Sequence, residues 1–239
     1  MYVNKLVAHR GDNTNFPENS YAAFESALKA GSSYIEFDVQ MNADGSLIVF
    51  HDTDLKRMTN SDHSIFDMDD SEIMKTCINS QKGQPVYIPT LKEILKLLAN
   101  YPDAQAFVEL KKQSIKKWGF DKVMQKLIAE LKDYSHQIYL ISYSSAALEY
   151  THQHSNYRTG LVFNKFNEKK RKIAKSLKPD FLICPYKIVR KKELWKGNWQ
   201  WMVYSLNDIS LVNEVFKRGD IDLIETDDIQ LMLSQGSSG

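Results

Sequence analysis

Two histidines, three carboxylates, an arginine and a lysine recur in this chain at spacings that strands would turn into a single site. His9 and Arg10 open the stretch "HRGDNTNFPENS", directly after an apolar run. In "YIEFDVQ", Glu36 and Asp38 stand two apart, so on a strand they share one face while Ile35, Phe37 and Val39 share the other. "AFVELKK" repeats the device, with Glu109 and Lys111 on the face of Phe107, and His51 ends the run "LIVFHD". Carboxylates buried without partners cost several kcal/mol each, so positive charge must meet them. Ion pairs with core arginines would satisfy Glu36 and Asp38 without any function. The repeat at Glu109 and the two histidines at strand ends favour a working site instead.

Three carboxylates form a hard-oxygen donor set, suited to Mg²⁺ or Ca²⁺ rather than to zinc. His9 and His51, not needed by such a cation, are free to move protons near neutral pH. Arg10 and Lys111 beside them favour an anionic, phosphorylated ligand. Together these groups describe phosphoester cleavage. One positioned acid or base contributes about 10²–10⁴-fold, less than a stable phosphodiester demands, so a divalent cation must carry part of the load.

Such a constellation needs a scaffold that gathers strand ends. Eight short apolar runs, "KLVAH", "YIEFDVQ", "AFVEL", "QIYLIS", "TGLVF", "DFLIC", "WMVYS" and "DLIET", read as strands. Between them, "SYAAFESALKA", "TLKEILKLLANY" and "VMQKLIAELKDY" carry apolar residues at helical period. Ser20 or Asn19 can cap the first helix and Gly31 end it, and Thr90 with Glu93 can cap the second. This alternation predicts a (β/α)₈ TIM barrel over residues 1–239, whose strand ends meet at one mouth, ahead of an open doubly wound sheet. Asp44-Gly45 predicts a hairpin that extends the second strand. The segment 54–89 is too long for a connecting loop and reads as a small insertion over the barrel mouth.

Composition narrows the classes. With 239 residues, 43% of them hydrophobic and 26% charged, the chain is an ordinary globular protein. A formal net charge of +1 speaks against a nucleic-acid partner bound through phosphate neutralisation, and the run Lys169-Lys170-Arg171-Lys172 reads as the solvated face of a helix. Cys77 and Cys184 fit no metal spacing and read as free thiols. No apolar run approaches the length of a membrane span, so stable membrane insertion is not expected and the location expected is cytoplasmic. His63, His136, His152 and His154 read as surface or loop residues, and Trp199 and Trp201 as packing.

The residues quoted above also resemble a known family. "HRG" with "PENS", then "IEFDVQMNADGSLIVFHDTDLKRMT", "IPTLKEIL" and "VELK", are similar in order and type to the motifs of the glycerophosphodiester phosphodiesterase family. The resemblance is dense from residue 6 to about residue 111 and thinner beyond. It implies a TIM barrel in which His9 and His51 are the catalytic acid and base, Arg10 and Lys111 bind the phosphate, and Glu36, Asp38 and Glu109 ligate a divalent cation. The implied substrate is a small glycerophosphodiester such as glycerophosphocholine or glycerophosphoethanolamine, cleaved to glycerol 3-phosphate and an alcohol, with water or the substrate's own 2-hydroxyl as nucleophile. A phospholipase-D-like lyase of lysolipids or sphingolipids, and a barrel that binds phosphoesters without turnover, are the alternatives. Asp52, Glu18 and Asn19 are expected to orient the histidines and the first loop. The chain departs from the family at Tyr204, where a tryptophan is usual, and after Thr226-Asp227, where a proline usually follows.

Overall fold

Eight parallel strands close on themselves, because the first of them pairs with both the second and the last. The computed structural model of the chain describes residues 2–59, 61–78 and 85–236. In chain order, β1 (Leu6–His9) leads to α1 (Tyr21–Lys29) and β2 (Tyr34–Met41), on which β3 (Leu47–Val49) folds back. Then come α2 (Asp70–Lys75), β4 (Cys77–Ile78), β5 (Val86–Tyr87), α3 (Leu91–Ala99) and β6 (Gln105–Leu110). Helices α4 (Lys112–Trp118) and α5 (Phe120–Leu131) precede β7 (Ile138–Ser142), followed by α6 (Ser145–His154), β8 (Arg158–Val162) and α7 (Glu168–Leu177). The last part comprises β9 (Phe181–Pro185), α8 (Tyr186–Val189), β10 (Gln200–Tyr204), α9 (Ile209–Arg218), β11 (Leu223–Thr226) and α10 (Ile229–Gly236).

Strands β1, β2 and β6 to β11 are the eight runs read from the sequence, each parallel to its neighbours, so the open-sheet alternative is excluded. Local chemistry sets the boundaries. Ser20 caps α1 by accepting from the Ala23 amide, and Thr90 and Glu93 form a reciprocal capping box on α3. At the Asp44-Gly45 turn, Gly45 has φ +80° and β3 runs antiparallel to β2, Val39 opposite Val49. The lysine-rich run lies on α7, which buries only Ala174 and Leu177.

The inward side chains stack in layers of four drawn from alternate strands. Following the register round the barrel, Tyr34, Tyr139, Phe181 and Leu223 form the lowest layer, and Val7, Phe107, Gly160 and Met202 the next. Above them the character changes. Glu36, Ile141, Ile183 and Glu225 share a layer, and His9, Glu109, Val162 and Tyr204 lie over it. The lower layers are a packed plug, with Phe107 stacked on Tyr139 at 4.6 Å and Arg158 over the Tyr139 ring at 3.8 Å. The opposite strand faces bury Leu6, Phe37, Val108 and Leu140 against the helices in the larger core.

The described part of 54–89 contains a 3-10 turn (Ile65–Asp67), α2 and the β4–β5 pair. Its Leu55, Ile65, Met68, Ile73, Ile78 and Ile88 pack on Ile48 and Phe50 of the β3 arm in a small core of their own. Residues 60 and 79–84 of this expected insertion lie outside the described residues. Among the described residues, no helix is long and apolar enough to cross a membrane.

Gly160 tests the plug directly. A Cβ at this position would lie 2.8 Å from both Ile141 Cγ2 and Ile183 Cδ1, the layer that floors the mouth. Gly160→Val should therefore lower unfolding free energy by about 1–3 kcal/mol through overpacking. Urea denaturation checks this, and an unchanged midpoint would refute the layer packing.

Candidate active site

At the C-terminal end of the strands the chain turns away from β1 through two left-handed residues, Arg10 (φ 58°) and Gly11 (φ 84°). A Cβ on Gly11 would stand 2.7 Å from the Ala23 carbonyl carbon, so only glycine lets the first loop lie against α1. Arg10 bears a left-handed backbone that costs a non-glycine residue about 1–2 kcal/mol. Its amide donates to the Glu36 carbonyl at 2.9 Å, and its guanidinium points back to the mouth, with Nε 3.1 Å from Asp38.

The three acids meet where β2 and β6 end. Each of Glu36, Asp38 and Glu109 offers an oxygen, and these oxygens lie within 4.8 Å of one another. All three residues are buried. Lys111 Nζ sits 3.1 Å from Asp38 and 2.9 Å from Glu109, and Asn19 donates to Asp38 at 2.9 Å. Burial opposes the charge on Asp38, but Lys111 and Arg10 overcome it and hold this carboxyl well below its usual range. Glu36 and Glu109 go the other way. Burial raises the pKa of both; beside Glu36 the charge of Asp38 adds to it, and at Glu109 the pull of Lys111 only partly offsets it.

Two oxygens on one cation are separated by at most twice the metal–oxygen distance, roughly 4–5 Å for Mg²⁺ and Ca²⁺. The trio, within 4.8 Å, meets the Ca²⁺ end of that range and offers oxygen only. Two of its three members are held back from ionising by burial and by one another, the condition a divalent cation relieves. These residues fit such an ion.

Each histidine is clamped by a carboxylate. His9 Nδ1 is 2.7 Å from Asp227 Oδ1, which leaves Nε2 facing the acids, 4.0 Å from Glu36. Asp227 is itself held by Asn207 at 2.6 Å, Asn13 at 3.0 Å and Ser205 at 3.1 Å. His51 Nδ1 is 2.7 Å from Asp52, and Gln40, inward on β2, donates to the carbonyls of His51 and Asp52. A chain of ion pairs then closes the rim: Asp52 to Arg57 at 2.6 Å, Arg57 to Glu18 at 2.6 Å, and Glu18 to Arg10 at 2.8 Å. The two imidazoles differ. Burial lowers the pKa of both, and at His9 the Asp227 hydrogen bond and the field of Glu225 outweigh it, so its pKa is raised. At His51 burial prevails with help from Arg10 and Lys111, and its pKa is lowered.

One cavity of about 150 Å³ is lined by His9, Arg10, Glu36, His51, Glu109 and Lys111 on one side. Ile141, Val162, Ile183, Tyr143, Tyr204 and Glu225 line the other. The Tyr143 and Tyr204 hydroxyls bond to each other at 2.6 Å. Glu225 is 3% exposed, and burial lifts its pKa to about 7 against the opposing pull of His9.

The chain is similar to known proteins. The model of the glycerophosphoryl diester phosphodiesterase family matches residues 9–231. The chain belongs to this family. A glycerophosphodiester phosphodiesterase of Caldanaerobacter subterraneus is 36% identical over 133 residues, covering 54% of this chain and 53% of that protein. One from Bacillus subtilis is 31% identical over 166 residues, covering 62% and 55%. The chain thus spans about half the length of the curated relatives it matches. Among solved structures, a phosphodiesterase of Oleispira antarctica, in complex with the product sn-glycerol-3-phosphate, superposes with a TM-score of 0.86. That match has 21% identity and covers 99% of this chain and 98% of the other, a likeness of fold.

The seven residues singled out in the sequence come together at this family barrel's mouth: six line the cavity, and Asp38 lies behind them on Arg10 and Lys111. Asn19 ties the first loop through its backbone amide to the Arg10 carbonyl and also holds Asp38, while Asp52 orients His51, as expected. His152 and His154 are exposed, as expected, the one bonded to Thr159 and the other stacked on Tyr150; Trp199 bonds to the Trp195 carbonyl and Trp201 packs with Trp195 and Phe163. Sequence reading missed Asp227 as the partner of His9, and also Asn207, Gln40, Arg57 and Glu225. For Gln40 the signal was present, since the two-residue alternation through Glu36 and Asp38 continues to it. The other four come from distant segments that only barrel closure or the 54–89 packing brings near.

Replacing Asp227 by Asn removes the carboxylate whose hydrogen bond, with the field of Glu225, outweighs burial at His9. The His9 pKa, raised above the usual imidazole value in the wild type, should then fall, which an NMR titration of the imidazole reads; a value unmoved by the substitution would rule out Asp227 as its cause.

Proposed function

We propose that the chain is a divalent-cation-dependent glycerophosphodiester phosphodiesterase, an enzyme that cleaves small glycerophosphodiesters such as glycerophosphocholine or glycerophosphoethanolamine to glycerol 3-phosphate and an alcohol. The observation that carries the reading is the meeting of two carboxylate-clamped imidazoles in one cavity with the acid trio, of which Glu36 and Glu109 line it and Asp38 lies behind. Family membership supports the reaction type, and the product bound by the Oleispira antarctica relative supports the substrate class.

With Nδ1 of each ring engaged, Nε2 is the atom left to exchange protons. One imidazole takes a proton from the nucleophile and the other gives one to the departing alcohol. Arg10 and Lys111, charged and fixed by ion pairs, attract the phosphoryl oxygens without reorganising. Glu36, Asp38 and Glu109 would hold Mg²⁺ or Ca²⁺, which when bound supplies positive charge against the developing phosphoryl charge. We assign the whole of 1–239 to one barrel domain, with 54–89 as an insertion whose Arg57 braces the rim through Asp52 and Glu18. The two unpaired thiols, Cys77 and Cys184, suit a reducing, cytoplasmic setting.

Two experiments test this. His9→Ala and His51→Ala should each lower kcat on glycerophosphocholine by about 10²–10⁴-fold while leaving the thermal midpoint nearly unchanged; near-normal turnover in either would end its assignment. Chelation should abolish activity and Mg²⁺ or Ca²⁺ restore it, in a substrate panel that also contains lysophosphatidylcholine. Persistence of full activity in chelator would remove the cation from the reading, and preference for the lysolipid would replace the substrate class.

A further inference from the structure

Seven acidic side chains surround the cavity and its rim, and six of them have partners. Glu36 accepts from the Arg10 amide, Asp38 from Asn19 and Lys111, and Glu109 pairs with Lys111. Asp227 holds His9, Asp52 holds His51, and Glu18 binds two arginines. Glu225 stands apart. Among the described residues nothing donates to its carboxyl, although it is 3% exposed and lines the cavity. A polar group this deeply buried is ordinarily satisfied, so a lone one aimed into a cavity points to a ligand atom.

The layer Glu225 occupies says which atom. It shares its layer with Glu36, Ile141 and Ile183, beneath His9, Glu109, Val162 and Tyr204. The cations that attract phosphate, Arg10 and Lys111, stand at the mouth side. On the wall facing away from them, Ile141, Val162 and Ile183 offer no acceptor, and the Tyr143 and Tyr204 hydroxyls, bonded to each other, are neutral and weaker acceptors than a carboxylate. A diester seated with its phosphate at the cations extends its glycerol towards the floor, where, among the described residues, Glu225 is the carboxyl that no ion pair or donor of the protein engages.

We propose that Glu225 accepts the hydrogen bond of the glycerol hydroxyl farthest from the phosphoryl group, and so selects polyol esters over simple alkyl esters. This deepens the phosphodiesterase reading and rests on it. Glu225 is thus a specificity-determining contact, separate from the proton-transfer pair.

The test compares kcat/KM on glycerophosphocholine with that on its propane-1,2-diol analogue, which keeps the hydroxyl beside the ester and lacks the terminal one. In the wild type the analogue should be poorer by roughly tenfold, the worth of one buried hydrogen bond. In Glu225→Leu the ratio should collapse to about unity, whereas Glu225→Gln, with an amide oxygen still able to accept, keeps most of it. Calorimetric binding of the two product monoesters, glycerol 3-phosphate and propane-1,2-diol 1-phosphate, should show the same ratios without turnover. A wild-type ratio near one overturns the proposal whether or not the variants fold, as does an undiminished ratio in Glu225→Leu. A variant that instead changes discrimination between choline and ethanol as leaving alcohols would place the carboxyl on the other side of the phosphate, and overturn it too. A wild-type chain that cleaves neither diester in the presence of Mg²⁺ rejects the phosphodiesterase reading itself, and the Glu225 assignment falls with it.

Discussion

The mouth of this barrel is organised by like charges forced together. Glu36, Asp38 and Glu109 crowd into a buried space in which ionisation is opposed by burial and by their neighbours, and two cations, Arg10 and Lys111, are built into the same cluster. Lys111 bridges Asp38 and Glu109, while Arg10 accepts a left-handed backbone to reach Asp38. Removing either cation would leave buried negative charge uncompensated, a far larger penalty than the worth of the pair itself. The apolar plug below supplies the rigidity: its aromatic layers fix the strands, and the strands fix the carboxylates.

Around that cluster the histidines are arranged by a shared rule carried out with different parts. Each ring presents Nδ1 to a carboxylate, and each carboxylate is itself held by other elements. On the His9 side the anchors are neutral amides and a hydroxyl, Asn207, Asn13 and Ser205. On the His51 side they are ionic, through Arg57 and Glu18, with Gln40 fixing the backbone. The two environments drive the rings in opposite directions, one towards holding its proton and the other towards releasing it.

Much of this was readable from residue order. The eight strands and the Asp44-Gly45 hairpin follow from periodicity and turn chemistry, and Glu36, Asp38, Glu109 and Lys111 follow from strand alternation. What stayed hidden depends on distance along the chain. Asp227 lies next to a strand that reads as apolar, and nothing local to it indicates that β11 closes against β1. Glu225 sits in the same run as Leu223 and Ile224, and its inward direction emerges only once the register fixes which alternate residues face the axis. Arg57 belongs to a stretch without periodicity, and its role comes from packing on a separate small core.

The His9–Asp227 clasp joins residues 218 positions apart, on the first strand and just beyond the last. It therefore acts as a seal on the ring of strands. A local opening that parts β11 from β1 would free the imidazole from its anchor, so the orientation of His9 reports on closure of the ring. During synthesis, the first histidine must wait for the last barrel strand and Asp227 beyond it to emerge before it acquires its orientation.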